Sequence, residues 1–288
     1  MKYKYTTEEK QKIIGLYKTG LSSIKIGKRL GINQGVIIKM VRSSGEEIRS
    51  KRHPKYIFNE NVFDKVNTEE KAYWTGFIMA DGCVFKNKLI LTLSSKDIDR
   101  LEKFKSFLKA SHPIFIRKVK FNGSYQSNDC CVFTVCSAHM INALKKLGIT
   151  ERKTFTCKPP NLKPILKKHF LRGLFDGDGW TSLSKKGQTG LSINTGICGN
   201  TFVINWFSSI LKVLKIPHKI DSHKTIFRIQ FKGYRAFKFL HWLYKGSNIF
   251  MQRKFDNFLL FINYLNGNKN AIYCKTFQFF QTELASYK

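Results

Sequence analysis

The chain carries one nine-residue pattern twice, WTGFIMADG at Trp74–Gly82 and LRGLFDGDG at Leu171–Gly179. Each copy has Gly in third place, apolar residues in fourth and fifth, a small residue in seventh, and closes on Asp-Gly. The second begins 97 residues after the first, which gives each copy room for a small domain of its own. Gly76 and Ala80, like Gly173 and Gly177, stand four residues apart and so share one face of a helix. Side chains this small let two helix backbones approach closely. Trp74, Phe77, Ile78, Leu171, Leu174 and Phe175 are left to bury into the cores on either side. Gly82 and Gly179 suit left-handed helix caps, which would end the two helices with Asp81 and Asp178 side by side.

Two carboxylates held that close repel, and one takes up a proton unless a cation sits between them. A divalent metal with oxygen ligands is the usual answer, and Mg²⁺ keeps waters and takes further ligands from substrate phosphates. The pattern therefore predicts a site that brings metal, water and phosphate together. A lone Asp-Gly is a common turn, but two copies in the same apolar frame argue against that reading.

Composition agrees with a polyanionic partner. Against 19 acidic residues stand 51 basic ones, a net charge of +32, far beyond what solubility needs. The excess is spread along the chain: 14 basic and 5 acidic residues over 1–60, 23 and 11 over 61–199, 14 and 3 over 200–288. Nucleic acid is the first candidate. A membrane surface is the competing polyanion, but no apolar run of transmembrane length, signal peptide or lipidation motif is present. The seven Cys include no Cys-x-x-Cys and read as reduced thiols of a cytoplasmic protein. The His residues show no zinc spacing, and His218 with His223 reads as incidental.

Residues 6–43 read as a helix-turn-helix, within a domain of residues 1–45. Thr6 or Thr7 caps a first helix with Ile13, Ile14, Leu16 and Tyr17 as its stripe. A second helix runs from Ser22 to Leu30 with Ile24, Ile26 and Leu30 inward, and Gly31-Ile32-Asn33 turns into a third from Gln34 to Arg42. Asn33, Gln34, Lys39 and Arg42 on that helix fit major-groove docking. A three-helix unit that merely packs on the main domain is the alternative. Residues 46–58 read as a linker, in which Arg49, Lys51 and Arg52 could lie along a groove.

The expected fold class is α+β, with two pseudo-symmetric αββαββα repeats over 59–160 and 161–265 and a tail over 266–288. In the first repeat the expected strands are Cys83–Lys86, Lys88–Leu93, Ile114–Phe121 and Cys130–Cys136. In the second they are Trp180–Ser184, Gly190–Asn194, His218–Asp221 and Thr225–Phe231. A last amphipathic helix, about Ile249–Leu265, packs back on the core. Alternation leaves one face of each sheet apolar and one carrying Lys86, Lys88, Arg117, Lys118, Lys120, Ser182, Ser184, Asn194, Lys219, Arg228 and Gln230. Such a face is a saddle for nucleic acid. Arg152-Lys153, 72 residues after Asp81, and Arg253-Lys254, 76 after Asp178, form a second echo of the duplication.

These features resemble the LAGLIDADG family of homing endonucleases in its single-chain, two-motif form, from about Asn67 to Phe255. The motif letters are G-F-I-M-A-D-G and G-L-F-D-G-D-G, with Trp74 in place of the first Leu and Met79 in sixth place where the second copy has Asp176. The resemblance implies a monomer without obligate protein partner that hydrolyses both strands of duplex DNA and leaves 3′ overhangs, and a genetic role in intron or gene mobility. The expected metal ligands are Asp81, Asp178 and the backbone carbonyls of Ala80 and Gly177, holding two or more Mg²⁺ that Mn²⁺ could replace. Lys153 and Lys254 are implied as active-site lysines, with Lys232 as the reserve in the second repeat. A non-cleaving transcription regulator and an intron maturase that binds folded RNA are the rival readings.

Overall fold

In the computed structural model, residues 5–48, 56–118, 129–186, 190–223 and 226–267 are described. Arg49, Lys51, Arg52, Lys120 and most of the tail lie outside them. The chain divides into two compact units between Lys55 and Tyr56.

The first unit holds three helices, α1 (Thr7–Lys18), α2 (Ser23–Leu30) and α3 (Gln34–Ser43). Thr6 and Glu9 form a reciprocal capping box at α1, and Gly31, in the left-handed region at φ 66°, ends α2. Ile13, Tyr17, Ile26, Ile37, Met40 and Val41 make a small core. Ile24 departs from expectation. It is 50% exposed, because residues two apart on a helix stand about 200° apart, so Ile24 turns outward when Ile26 takes the inner position.

The second unit repeats one plan. Helix α4 (Glu69–Asp81) leads into β1 (Gly82–Phe85) and β2 (Lys88–Ser94), a 3-10 turn and α5 (Ile98–Phe107), then β3 (Phe115–Arg117), β4 (Cys130–Cys136) and α6 (Ala138–Lys146). A short α7 (Lys153–Thr156) connects to α8 (Pro164–Asp178), which opens the same series: β5 (Gly179–Lys186), β6 (Gly190–Gly199), α9 (Thr201–Val213), β7 (Ile220–His223), β8 (Ile226–Lys232) and α10 (Tyr234–Tyr244). Helix α11 (Gln252–Gly267) closes the described chain. Both sheets are antiparallel and share one order, β1-β2-β4-β3 and β5-β6-β8-β7. The αββαββα expectation holds in both repeats.

The repeats meet along α4 and α8. Ala72 to Ala80 are all buried on α4, and Phe170 to Asp176 on α8, as expected of helices that are largely apolar all round. The contact is backbone to backbone. A Cβ on Gly76 would press on the Phe170 carbonyl and stand 2.8 Å from Leu174 N; one on Gly173 would press on the Tyr73 carbonyl and stand 2.8 Å from Phe77 N. Each glycine thus faces the residue three places before the other, the signature of a two-fold axis between the helices. One continuous apolar core, from Val62 to Leu265, runs through both repeats.

Polar ties reinforce the seam. Glu69, in the first turn of α4, takes an ion pair from the buried Arg172 of α8. Tyr73 Oη donates to Asp176 at 2.7 Å, and Arg253 of α11 donates to Asp97 at 3.1 Å. Removing Glu69 would leave the buried Arg172 without its ion-pair partner. That change costs about 3–5 kcal/mol in a fully buried pair and less here, where Glu69 is partly exposed. Arg253–Asp97 is an exposed pair worth far less.

Gly82 and Gly179 do not adopt the left-handed cap expected of them. Their φ values are −73° and −91°, extended backbone that any residue can take. Crowding is what requires glycine: a Cβ at Gly82 would stand 2.6 Å from the Ile78 carbonyl, and one at Gly179 2.7 Å from the Phe175 carbonyl. Helix and strand therefore join with no intervening loop, and the aspartate before each glycine is fixed at the junction.

Candidate active site

Asp81 and Asp178 end α4 and α8 on the same side of the seam. The Asp81 carboxylate lies over Gly177, with Oδ2 3.2 Å from where a Cβ on that glycine would be, and Ala80 presses on the same point. Burial, then the charge of Asp178, pushes the Asp81 carboxyl up to about 6, against the pull of Lys153 and Lys254. Asp178, more exposed, is also raised, again by the protein packed around it, with the same two lysines opposing. Both carboxyls are thus partly desolvated and harder to ionise, although two lysines act on each. Among the described residues no third His, Cys, Asp or Glu joins them, so most of a cation's coordination would be left to carbonyls, water and phosphate. Two carboxylate donors of this kind fit Mg²⁺ or a similar hard divalent ion.

Both expected lysines reach this region, but from different structures. Lys153 opens the short α7, directly after Arg152, whose φ of 54° is left-handed. Its ammonium donates to the carbonyl of Met79 at 2.7 Å and to that of Ala80, so it caps the end of α4. The Ala80 carbonyl, expected to bind metal, already accepts from a cation. Lys153 also lines a cavity of about 210 Å³ with Asp178, Cys157, Cys198 and Asn200. Asn200 caps α9 and donates to the Cys157 carbonyl at 3.1 Å, tying α7 to the second repeat.

Lys254, in the first turn of α11, is 3% exposed. Its ammonium donates to the carbonyls of Phe175 at 2.8 Å and Asp176 at 2.7 Å, and to that of Gly179. Three protons meet three acceptors, so none is left for water or phosphate. That departs from the role expected of it. Burial pushes the amine down to about 8, and Asp176 is the largest charge opposing that shift.

Asp176 is a residue the motif reading passed over. It is fully buried and accepts from Tyr73 Oη and, at 2.6 Å, from Met251 N, which fixes the start of α11 and hence Lys254. Arg172 works with it, donating to the carbonyls of Ile249 at 2.7 Å and Leu243 at 3.2 Å, while Arg100 donates to the Phe250 carbonyl. The signal was present in the sequence: an acid and an arginine inside an apolar frame must have partners if the helix is buried.

Of the residues expected on the open sheet faces, those of the second repeat do share one. Ser182, Asn194 and Lys232 form a single cross-strand row, Gln230 stands opposite Gly196, and Arg228 faces Asp221. Ser184 lies on the same face, while Lys219 falls just before β7. In the first repeat Lys88 and Arg117 share the open face, but Lys86 is in the β1–β2 turn at φ 52° and Lys118 follows the end of β3. The rest of that face is not basic, because alternation there places exposed Cys83, Phe85 and Phe115 and the half-buried Ile90 on it. On α3 the Asn33 carbonyl oxygen caps Gly35 N at 2.8 Å and Gln34 Nε2 donates to Ser23 at 3.2 Å. Both amides hold the turn, while Lys39 and Arg42 are exposed. His218 is a structural histidine, bonded to Ser208 and to the Ile216 carbonyl.

No helix among the described residues is long and apolar enough to cross a membrane. No family model matches the chain, and no curated protein does. Solved LAGLIDADG homing endonucleases resemble it. The I-LtrWI enzyme bound to target DNA is 14% identical, with 73% of this chain and 93% of that one covered at a TM-score of 0.47. Meganuclease I-SmaMI bound to uncleaveable DNA is 15% identical, covering 75% and 97% at a TM-score of 0.48. I-GzeII in complex with its DNA target is 12% identical, covering 69% and 92% at 0.48.

Proposed function

We propose that the chain is a site-specific DNA endonuclease of the LAGLIDADG homing type, dependent on a divalent cation and active as a monomer. One observation carries this: two carboxylates end helices packed backbone to backbone, with Asp81 against Gly177 and near enough to Asp178 to feel its charge, in a chain of net charge +32. A protein that only binds DNA gains nothing from paired acids, which repel both each other and the phosphates. Asp81 and Asp178 are the residues that would hold Mg²⁺, with Mn²⁺ as a substitute. A bound divalent ion supplies charge stabilisation at the scissile phosphate and a more acidic water.

The side chains do the rest. Hydrolysis joins a water oxygen to phosphorus and breaks the bond to the 3′ oxygen, which leaves with a proton. Lys153, with two of its three protons on carbonyls, has one left for that water or for a phosphate oxygen. Lys254 has none, and acts by holding the α8 terminus and Asp178 in place. The face bearing Ser182, Asn194, Arg228, Gln230 and Lys232 has the donors and acceptors that read base edges in a major groove. Two acids at one dyad serve two strands, so a double-strand break is expected; that it leaves 3′ overhangs is what the resemblance to the homing endonucleases implies. Lys39 and Arg42 of α3 give a second contact through the linker, which ends before Tyr56 rather than at residue 58, since Ile57 N donates to Ser111 and Phe58 packs on the second unit's core.

The test is to select duplexes from a random library with the full chain and Mg²⁺, then repeat with Asp81→Asn and Asp178→Asn. Wild type should cut both strands. Each variant should keep its affinity and lose at least about 100-fold in cleavage. Mg²⁺ at 100 times its Kd should stabilise wild type by about 2.7 kcal/mol in a thermal melt, and neither variant should respond. Wild type that binds selected duplexes and never cuts them would instead be a regulator.

A further inference from the structure

The two sheets occupy equivalent places and differ in what they offer. In the first, Val84, Leu89, Leu91, Phe133 and Val135 belong to the core, so the alternate positions form the opposite face. The register arranges these in rows: Cys83, Ile90 and Thr134; Phe85, Lys88 and Cys136; Thr92, Val132 and Phe115. The corresponding rows of the second sheet are Trp180, Gly196 and Gln230; Ser182, Asn194 and Lys232; Cys198, Arg228 and Asp221. The second face sets Ser182, Asn194, Gln230, Arg228 and Lys232 beside Trp180 and Cys198, whereas the first sets Phe85, Phe115, Ile90 and a buried Val132, with two thiols, beside Thr92, Thr134 and Lys88.

Phe85 and Phe115 keep 53% and 55% of their surface exposed. A sheet face left to water is ordinarily polar, and an apolar one marks a contact. A second copy of the chain is a poor occupant, because each copy carries +32 and this face bears Lys88 and Arg117. Duplex DNA answers both features. Its phosphates pair with the two cations, and its major groove, wide enough for a β-ribbon, presents an apolar group of its own in the C5 methyl of thymine.

We propose that the open face of the first sheet reads thymine methyls, so that the target has two chemically unlike halves, a thymine-rich one opposite β1–β4 and one opposite β5–β8 read by polar side chains. This rests on the DNA reading above and adds the base that repeat one selects. Phe85, Ile90 and Phe115 are the specificity-determining residues. Lys88 and Arg117 position them by holding phosphates.

The test uses uracil, which differs from thymine only by the missing methyl. The full chain is first used to select its target, and that duplex is then made with deoxyuridine at each thymine in turn. Affinity is read by fluorescence anisotropy at one fixed salt concentration. Binding should weaken by about fourfold for each methyl lost on one half of the target and hardly at all on the other. Phe85→Ala and Phe115→Ala, both at exposed positions, should fold normally and abolish the dependence on uracil at the bases they face. Gln230→Ala should leave that dependence intact and relax selection on the other half.

Equal affinity for uracil and thymine throughout, with binding otherwise strong, overturns this inference and leaves the endonuclease reading standing. A methyl dependence that survives both Phe variants overturns the assignment to the first sheet. Failure to select any duplex overturns both readings together.

Discussion

Lys153 and Lys254 occupy matching places and are held differently. One caps α4 through two carbonyls and borders a cavity; the other caps α8 through three and is sealed from solvent. The reason lies at the sixth place of the motif. Asp176 in the second copy, where the first has Met79, anchors Met251 N and draws α11 over its lysine. The same duplicated backbone thus commits one ammonium wholly to carbonyls and leaves the other with a proton unassigned. The sheets differ too, one more polar and one more apolar, around an interface that is symmetric.

That symmetric interface offers the largest test. Gly76→Val and Gly173→Val should each cost more than about 4 kcal/mol, and by similar amounts, since each drives a side chain into the partner's backbone. Urea denaturation measures both, and a loss under about 1 kcal/mol in either would mean the helices are not in backbone contact. The lysines should separate next. Lys254→Met removes three hydrogen bonds in a dry site, where the Phe175 carbonyl keeps another donor in Gly179 N, and should cost about 3 kcal/mol, against about 1 kcal/mol for Lys153→Met. Cleavage should order them the other way, if Lys153 is the one with a proton to spare.

The aspartates should show the cost of their function. Asp81 has its pKa raised from 3.8 to about 6 by burial and by Asp178, so its ionised form is disfavoured in the fold. Below pH 3.8 it is protonated in folded and unfolded chains alike and costs nothing; above pH 6 the whole penalty applies. Asp81→Asn should therefore stabilise the metal-free protein by roughly 2 kcal/mol at pH 8. The gain should shrink toward zero as pH falls through that window, followed by melting temperature. The smallest effect separates the helix starts. Thr68 caps α4 with its side chain and Lys163 does not cap α8, so Thr68→Ala should lose about 1 kcal/mol and Lys163→Asp should gain a few tenths.

Much of this was legible in the residues. The small positions of the motif foretold the backbone contact, and period-two alternation placed Ser182, Asn194, Arg228 and Gln230 on one face. What stayed hidden depends on distance along the chain. No local pattern says that Lys254 will meet carbonyls more than 70 residues away, or that Arg172 will be met by Glu69. The left-handed caps at Gly82 and Gly179 were a sound reading of helix-ending glycine, overridden because the strand starts at once and steric crowding alone excludes a side chain. The first sheet's face was read as basic from its lysines. Lys86 went to the turn, and counting charges without fixing the register concealed Phe85 and Phe115.

The seam between α4 and α8 has a mechanical consequence. With glycine against carbonyl on both sides, the halves have no slack to rock or slide about their shared axis. A duplex laid across them must then conform to a rigid cradle. Base steps that kink or untwist easily would be favoured near the dyad even where no side chain touches them, so part of the target's identity would be written in the stiffness of DNA.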